Sequence, residues 1–285
     1  MSPDWRRAGL VLVGLVVVVP LLAVSPYYLQ RRILFPYRWP RWEPAPESGV
    51  VLHVEYPGGE VPMVLWRPRL GEPLVAWFHG SGETIDNQVR IRPELDKLSL
   101  GMVAIEYPGF GGSRGQGPSE DSILASARAG LERIDREGLP RPVCVGASFG
   151  TGVALAMAAE DRCSAVILAS PYTSVADVAE HHWPGAGDYV WDRFDAIPRA
   201  RQVFAPALVV HGLRDTMVPY AQGEAVAAAL EDARFMTTDA GHMDIFEERV
   251  WTTLGAFAWQ HGERKGGASV TGPRPGSWQR DSGGG

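Results

Sequence analysis

The sequence predicts an α/β fold with a mostly parallel central sheet and helices on both of its faces. Short apolar runs without polar alternation recur along the chain, and strands buried on both faces have this composition. Segments of helical length separate these runs, and a repeated strand and helix order implies right-handed crossovers between parallel strands. The chain has 285 residues, of which 45% are hydrophobic and 21% charged, so it can bury one large core.

Strands and helices are predicted in alternation along residues 50–261. Two strands rich in β-branched and aromatic residues flank the turn sequence PGGE, and more apolar strands follow. The predicted strands cover residues 50–56, 61–68, 74–78, 102–107, 143–147, 165–169, 207–211 and 233–238. The predicted helices cover residues 84–99, 119–137 with Ser119 as the cap, 149–160 and 219–231, and a last helix follows directly after residue 242.

The N-terminal segment predicts one transmembrane helix. Residues 8–30 contain no charged residue, and a helix of this length spans about 34 Å, enough to cross a bilayer core. Arginine and aromatic residues flank the run on both sides, as they do at membrane interfaces. A cleaved signal peptide is the main alternative, although Pro26 follows the best cleavage site, and a buried helix is another.

The side of the membrane that the domain would occupy stays open. More arginines follow the apolar run than precede it, which would keep the domain inside the cell. A short N-terminal anchor ahead of a globular domain, however, commonly acts as an uncleaved export signal. The predicted regions are an anchor at 1–30, a Pro-rich linker at 31–48, a folded domain at 49–261 and a disordered Gly-rich tail at 262–285.

Charge and cysteine content exclude some classes of partner. The formal net charge of −6 gives no basic excess with which to neutralise phosphates, so we expect no nucleic-acid partner. Cys144 and Cys163 are the only cysteines, and each lies in or beside an apolar run. Two cysteines at this spacing form no metal-ligand motif and no disulfide framework. We therefore expect two buried thiols.

The stretch VCVGASFG, residues 143–150, predicts a nucleophilic serine. Ser148 lies between Gly146 and Gly150, after a buried strand and before a helix, which is the context of a nucleophile elbow. The turn leaves no room for side chains beside the serine, which explains the glycines. The N-terminus of the following helix favours developing negative charge.

A carboxylate and a histidine that could activate Ser148 follow it in the sequence, in the order Ser, Asp, His. Asp215 comes four residues after the strand at 207–211, and His242 follows the strand at 233–238. Serine needs a base, and a carboxylate must orient that base. The rival carboxylates are Asp239 and Asp244, and we expect the latter to cap the last helix.

The sequence also predicts roles for the remaining histidines near these motifs and the backbone N–H groups that stabilise the oxyanion. His79 and His211 end buried strands before glycine, so we expect loop-fixing hydrogen bonds from them. His181 and His182 are expected either in a solvated loop or at a substrate entrance. The oxyanion donors are predicted to be the backbone N–H of Phe149 and that of Ser81, although Gly82 could replace the latter.

Several motifs together resemble the α/β-hydrolase superfamily. They are HGSG, EYPGFGGS, GASFG, HGLRDTMVP and GHMDIF, each placed after a predicted strand. More narrowly, LQRRILFP, SPYTSVADVA and FDAIPRARQVFAPALVVHG resemble the membrane-anchored branch that includes protein depalmitoylases. The resemblance covers about residues 29–260. It implies an α/β-hydrolase catalytic domain and acyl transfer to water, with no metal or organic cofactor.

The predicted function is a membrane-anchored serine hydrolase that cleaves carboxylic esters or thioesters through a Ser148 acyl-enzyme. A serine peptidase or amidase with the same triad, or a non-catalytic scaffold at a membrane, are the alternatives. About 35 residues between the sixth and seventh strands predict a short cap and an open site. Its aromatic residues, expected either to line an acyl pocket or to pack on the sheet, are Trp183, Tyr189, Trp191 and Phe194.

Overall fold

The computed structural model describes residues 30–35 and 49–265, and it contains the predicted α/β architecture. One sheet has the strand order β1-β2-β4-β3-β6-β7-β8-β9, with β5 paired to β2. The strands are β1 Val50–Tyr56, β2 Gly59–Trp66, β3 Leu74–Phe78, β4 Gly101–Ile105, β5 Arg114–Gly115, β6 Val143–Ala147, β7 Ala165–Ala169, β8 Ala207–Gly212 and β9 Ala233–Thr238. From β4 to β9 all neighbouring strands are parallel, whereas β2 pairs antiparallel with β1, β4 and β5.

Helices cover both faces of the sheet, as predicted. Residues 30–34 are helical and form α1. The other helices are α2 Ile85–Val89, α3 Arg92–Lys97, α4 Glu120–Arg136, α5 Gly150–Ala159, α6 Val175–His182, α7 Ala196–Ala200, α8 Tyr220–Ala229 and α9 Glu248–His261, with a 3-10 turn at Gly187–Tyr189. Ser119 caps α4 by accepting a hydrogen bond from the N–H of Ser122.

The two faces of the sheet form two apolar cores. Along β3, Leu74, Ala76 and Phe78 point into the core under α4 and α5, while Val75 and Trp77 point into the core under α3 and α9. A strand buried on both faces needs apolar residues at every position, and all five residues of β3 are buried. This is why unalternating runs identify these strands.

The helix predicted over 84–99 is instead two short helices. A turn at residues 90–91 separates α2 from α3, and Pro93 lies in the first turn of α3. Proline has no N–H to donate and clashes with a preceding helical turn, so it begins a new helix more readily than it continues one.

The two cysteines form a disulfide bond, so the expectation of two buried thiols is wrong. Cys144 lies in β6, and Cys163 lies in the loop that returns from α5 to β7. These neighbouring strands are parallel, and Cys144 lies opposite Val166. The right-handed crossover through α5 therefore brings together two cysteines that are 19 residues apart in the sequence.

Most of the predicted anchor, linker and tail lies outside the described residues. Within residues 30–35 and 49–265, no helix combines the length and the apolar character needed to cross a bilayer. Residues 30–35 pack against the domain although they precede residue 49, and Phe35 is fully buried.

The disulfide predicts a stability difference between the oxidised and the reduced protein. A cross-link that closes a loop of this size lowers the entropy of the unfolded chain and is worth about 3 kcal/mol. We expect a reducing agent to lower the free energy of unfolding of the wild type by this amount, measured by urea denaturation. The double variant Cys144→Ala/Cys163→Ala is the control, and reductant should not change its stability. Two reactive thiols in the denatured, unreduced wild type would contradict the prediction.

Candidate active site

Ser148 lies at the sharp turn between β6 and α5. Its backbone φ is +49°, in the left-handed region that non-glycine residues rarely adopt. Its N–H donates to the carbonyl of Ala169 at the end of β7, and its own carbonyl accepts from the N–H and hydroxyl of Thr151. These contacts hold the strained turn, which projects the Ser148 side chain beyond the carboxyl edge of the sheet.

The two glycines of the turn are required by close backbone contacts. A Cβ on Gly150 would come within 2.0 Å of the carbonyl oxygen of Phe78, and one on Gly146 within 2.5 Å of the carbonyl oxygen of Gly150. A side chain on Gly150 would force the first turn of α5 away from β3, and one on Gly146 would force it away from β6. The steric reason predicted for the glycines beside Ser148 is therefore confirmed.

A hydrogen-bonded chain joins Ser148, His242 and Asp215. The Ser148 hydroxyl lies 2.8 Å from Nε2 of His242, and Nδ1 of His242 lies 2.7 Å from Oδ2 of Asp215. The Asp215 side chain is buried and that of His242 is nearly so. The three predicted residues, which come from three separate loops, are thus brought together.

Asp215 is held in its ionised form. Burial opposes ionisation, but hydrogen bonds from His211, from His242 and from the Val218 N–H outweigh it and keep the pKa of Asp215 well below its ordinary value. Its Oδ1 accepts from the N–H groups of Met217 and Val218 at 2.9 and 2.8 Å. A carboxylate facing Nδ1 of His242 places the ring proton on that nitrogen, which leaves Nε2 free to accept the Ser148 proton.

His211 supports the acid loop, as predicted from its position before a glycine. Its Nε2 lies 3.0 Å from the carbonyl of Val218 and 3.5 Å from Oδ2 of Asp215. Its ring packs against α8, where a Cβ on Gly223 would lie 2.2 Å from Nδ1. The contact of His211 with Asp215 was not predicted, because it depends on how the loop after β8 folds back on the strand.

The predicted oxyanion donors lie beside the nucleophile. A Cβ on Gly80 would be 3.8 Å from Cβ of Ser148, so the loop after β3 passes the elbow closely. The N–H of Gly80 donates to the carboxylate of Glu83 and is therefore occupied. Within the described residues, the N–H groups of Ser81, Gly82 and Phe149 donate to no other group. The choice between Ser81 and Gly82 stays open.

A buried ion pair anchors the loop after β3. Nε2 of His79 lies 3.0 Å from Glu106, and both side chains are almost completely buried. Burial opposes protonation, but the hydrogen bond and charge of Glu106 raise the pKa of His79. Glu106 also accepts from the N–H of Ile85 and of Tyr107, whose hydroxyl donates to the His79 carbonyl. The loop-fixing role predicted for His79 is confirmed.

Glu106 is a supporting residue that the sequence reasoning did not identify. It follows β4, which pairs directly with β3, so its side chain reaches the end of the neighbouring strand. A carboxylate and a histidine directly after adjacent strands are the signal that could have identified the pair.

The rival carboxylates do not contact His242. Asp239 is exposed beside Arg214, and Asp244 accepts a hydrogen bond from the N–H of Gly241. The expectation that Asp244 caps the last helix is wrong, because α9 begins only at Glu248. Asp244 instead closes the tight turn that carries His242.

The cap between β7 and β8 is short and divides into a buried and an exposed part. Phe194 is fully buried, with its ring 4.8 Å from that of Phe149. Trp183, Tyr189 and Trp191 are at least half exposed, so they do not pack on the sheet. The Nε2–H of His182 donates a hydrogen bond to the carbonyl of Met217, on the loop of Asp215. The cap therefore contacts the acid loop directly.

The chemistry available to this arrangement is that of an activated hydroxyl. An imidazole oriented by a carboxylate can take the hydroxyl proton as the oxygen attacks an electrophile. Two free N–H groups at the base of the same site can stabilise an oxyanion. In the described part of the chain, no group of three His, Cys, Asp or Glu side chains is arranged to hold a metal ion.

Comparisons with known proteins agree with this architecture. The family model described as alpha/beta hydrolase fold matches residues 73–198. Uncharacterized protein Rv2307c of Mycobacterium tuberculosis is 31% identical over 237 residues, which cover 75% of this chain and 81% of that protein. The lysophosphatidylserine lipase ABHD12 of Danio rerio is 27% identical over 215 residues, which cover 63% of this chain and 55% of that protein.

Solved structures show the same fold at lower identity. The Pyrococcus furiosus esterase PF2001 superposes with a TM-score of 0.65 at 17% identity, covering 78% of this chain and 96% of that one. Est1E from Butyrivibrio proteoclasticus, solved with ferulic acid, gives a TM-score of 0.61 at 19% identity, with 74% and 98% covered. The sheet, the strained turn after β6 and these matches show that the chain belongs to the α/β-hydrolase family.

Proposed function

We propose that this chain is a serine hydrolase that cleaves carboxylic esters or thioesters through an acyl-enzyme on Ser148. The observation that carries the proposal is the hydrogen-bonded chain from Ser148 through His242 to Asp215, with distances of 2.8 and 2.7 Å. The strained turn at Ser148 supports it, because backbone strain of this kind is concentrated at functional sites.

The first half of the reaction forms the acyl-enzyme. The Ser148 oxygen attacks the acyl carbon while His242 takes the hydroxyl proton, and Asp215 stabilises the resulting imidazolium. The carbonyl oxygen becomes an oxyanion and accepts hydrogen bonds from the N–H of Phe149 and from that of Ser81 or Gly82. When the tetrahedral intermediate collapses, the bond to the leaving group breaks and His242 gives its proton to the leaving oxygen or sulfur.

The second half returns the enzyme to its starting state. Water attacks the acyl carbon with His242 as the base, and a second oxyanion forms at the same donors. The bond to Ser148 then breaks, His242 returns the proton to the serine oxygen, and the carboxylic acid leaves. The reaction consumes one water, and the residues described here supply every proton transfer.

Esters and thioesters are the preferred substrate class. Esters and thioesters have better leaving groups than amides, so the same triad forms an acyl-enzyme from them more readily. The relatives and neighbours with functional names include a lipase and an esterase. Acyl esters of small molecules and acylated proteins both meet this description, and an amide-cleaving enzyme would use the same triad.

The apolar segment 8–30 serves as a membrane anchor in this proposal. Its length and lack of charge support a membrane span, and the arginine and aromatic residues beside it support an interface at both ends. The Cys144–Cys163 disulfide supports an extracytoplasmic location of the catalytic domain, because thiols are kept reduced in the cytosol. This outweighs the arginine count, which alone would favour the opposite side.

Substitution of the nucleophile gives the most direct test. We expect a fluorophosphonate probe to label the wild type and to leave Ser148→Ala unlabelled, since the probe bonds to an activated serine oxygen. Ser164→Ala, at the amino edge of the sheet before β7, is the control and should label normally. Well-folded wild type that stays unlabelled would contradict the serine mechanism and favour a non-catalytic scaffold. Rates on p-nitrophenyl esters of increasing chain length, an acyl thioester and an anilide then identify the substrate class.

Removal of the acid should impair the base. We expect Asp215→Asn to lower kcat by about 10⁴-fold, because His242 loses the carboxylate that fixes its tautomer. Asp239→Asn, on a neighbouring loop without contact to His242, should keep wild-type kcat on a p-nitrophenyl ester. Equal losses in the two variants would contradict the role of Asp215.

The pKa of Asp215 also predicts a pH dependence of stability. Its pKa is lower in the folded than in the unfolded chain, so its contribution is present at neutral pH and is lost as the pH falls below about 4. The free energy of unfolding of the wild type should therefore fall more steeply between about pH 5 and pH 2 than that of Asp215→Asn. The free energy of unfolding is measured at each pH by urea denaturation. If it falls equally steeply with pH in the wild type and in Asp215→Asn, the lowered pKa of Asp215 is contradicted.

Orientation is tested with spheroplasts that express the full chain with a C-terminal epitope tag. We expect external protease to remove the tag before lysis, because the catalytic domain lies on the oxidising side. A cytosolic marker protein must survive as the control. A tag that stays intact until lysis would place the domain inside the cell, and a shortened chain lacking residues 1–25 would identify a cleaved signal peptide instead.

A further inference from the structure

The end of the proposed anchor is fixed to the cap of the active site. The side-chain oxygen of Gln30 accepts a hydrogen bond from the N–H of Trp191 at 3.0 Å, and Arg31 pairs with the buried Asp192 at 3.1 Å. Gln30 is itself buried, and Phe35 at the end of the same segment packs its ring 5.6 Å from that of Phe149. Residue 30 therefore cannot move far from the cap while the domain stays folded.

Exposed apolar side chains are concentrated on the cap and on the loops that carry two of the catalytic residues. Of the ten large apolar side chains that are exposed among the described residues, six lie on the part of the cap before α7 or on the loops that carry Asp215 and His242. We call these six residues the apolar rim: Trp183, Tyr189, Trp191, Leu213, Met217 and Met243. Met243, next to His242, is 87% exposed, and Trp183 is 62% exposed.

Hydrogen bonds join the parts of the apolar rim into one surface. His182, which precedes Trp183, bonds to the carbonyl of Met217 at 2.8 Å. The N–H groups of Leu213 and Arg214 donate to the carbonyls of Thr238 and Ala240, which ties the acid loop to the loop of His242. These bonds hold the backbones of the cap, the acid loop and the base loop, which carry the exposed apolar side chains, next to one another.

We propose that the apolar rim is a membrane-contact surface that rests in the interfacial layer of the lipid bilayer, with the active site opening toward the lipid. This proposal rests on the proposed anchoring through residues 8–30. Because the apolar segment ends at residue 30, and residue 30 is bonded to Trp191, the cap lies within a few residues' reach of any bilayer that holds the segment. Tryptophan and tyrosine are the side chains enriched at that depth.

The contact gives lipid-borne acyl groups a short path to Ser148. A substrate held in the bilayer need not cross bulk water, since the rim joins the lipid surface to the loops of the catalytic residues. Water-soluble esters gain nothing from this arrangement. The two kinds of substrate should therefore respond differently when the rim is made polar.

The position of the rim is measured with the full chain reconstituted in phosphatidylcholine and phosphatidylglycerol vesicles. The native cysteines are in a disulfide, so a maleimide fluorophore reports only on an introduced thiol. We expect labels at Trp183→Cys and Met243→Cys to be quenched by nitroxide carried in the lipid headgroup region. Labels at Leu70→Cys and Phe204→Cys, which replace side chains 84% and 78% exposed outside the rim, should not be quenched.

Activity provides the second measurement. We expect the double variant Trp183→Gln/Tyr189→Gln to lose at least about tenfold in kcat/KM toward a lipid ester in vesicles and to keep wild-type rates on p-nitrophenyl butyrate, because it removes two interfacial aromatic contacts. The double variant Leu70→Gln/Phe204→Gln is the matched control and should keep both activities.

The possible outcomes test the membrane contact of the rim separately from the membrane anchor and from the serine mechanism. If the chain floats with the vesicles and hydrolyses p-nitrophenyl butyrate, but its rim labels are not quenched, the membrane contact is wrong and the anchor stands. Rim labels that are shielded from water but not quenched by the lipid nitroxide, together with cross-links between copies of the chain, would also overturn the membrane contact. The rim would then be a self-association surface. Failure to float would reject the anchor and the rim together, and absence of any hydrolysis would reject the serine mechanism independently.

Discussion

The contact between the first turn of α5 and the end of β3 determines the geometry of the whole site. Gly150 lies so close to the Phe78 carbonyl that even a methyl group would not fit. This approach forces the chain through Ser148 with a φ of +49° and brings the elbow beside Gly80. The nucleophile, the free N–H groups of both oxyanion loops and the N-terminus of α5 therefore meet at one point. Backbone packing, together with the hydrogen bonds from Thr151 to the Ser148 carbonyl, places the serine.

Two histidine and carboxylate pairs then serve different purposes at the same edge of the sheet. His79 and Glu106 are sealed from solvent, and the carboxylate also binds two backbone N–H groups, so the pair is suited to holding a loop still. His242 keeps one ring nitrogen on Asp215 and presents the other to the Ser148 hydroxyl. The same pairing stabilises structure when both ring nitrogens are occupied and can transfer a proton when one faces a reacting group.

Local patterns in the sequence predicted the sheet well, because each parallel strand is buried on both faces and has to be apolar throughout. The order of Ser148, Asp215 and His242 was equally informative, because each follows a strand at the same edge. Features that depend on distant packing were missed. The disulfide depends on the crossover that brings Cys163 back beside β6, and the late start of α9 depends on how the turn that carries His242 packs. The break before α3, by contrast, has a local cause in Pro93, which the helix predicted over 84–99 did not take into account. The partner of His211 could not be predicted before the fold of its loop was known.

The segment after the proposed anchor is part of the active-site architecture rather than a simple tether. Phe35 is fully buried and contacts the rings of Phe110 and Phe149, and the N–H of the latter is a proposed oxyanion donor. Gln30 and Arg31 hold the cap through Trp191 and Asp192. Because Asp192 also accepts from the N–H of Glu120 at the start of α4, the cap, residues 30–31 and the helix layer share one polar junction. The packing of residues 30–35 and the shape of the site are therefore set by the same contacts.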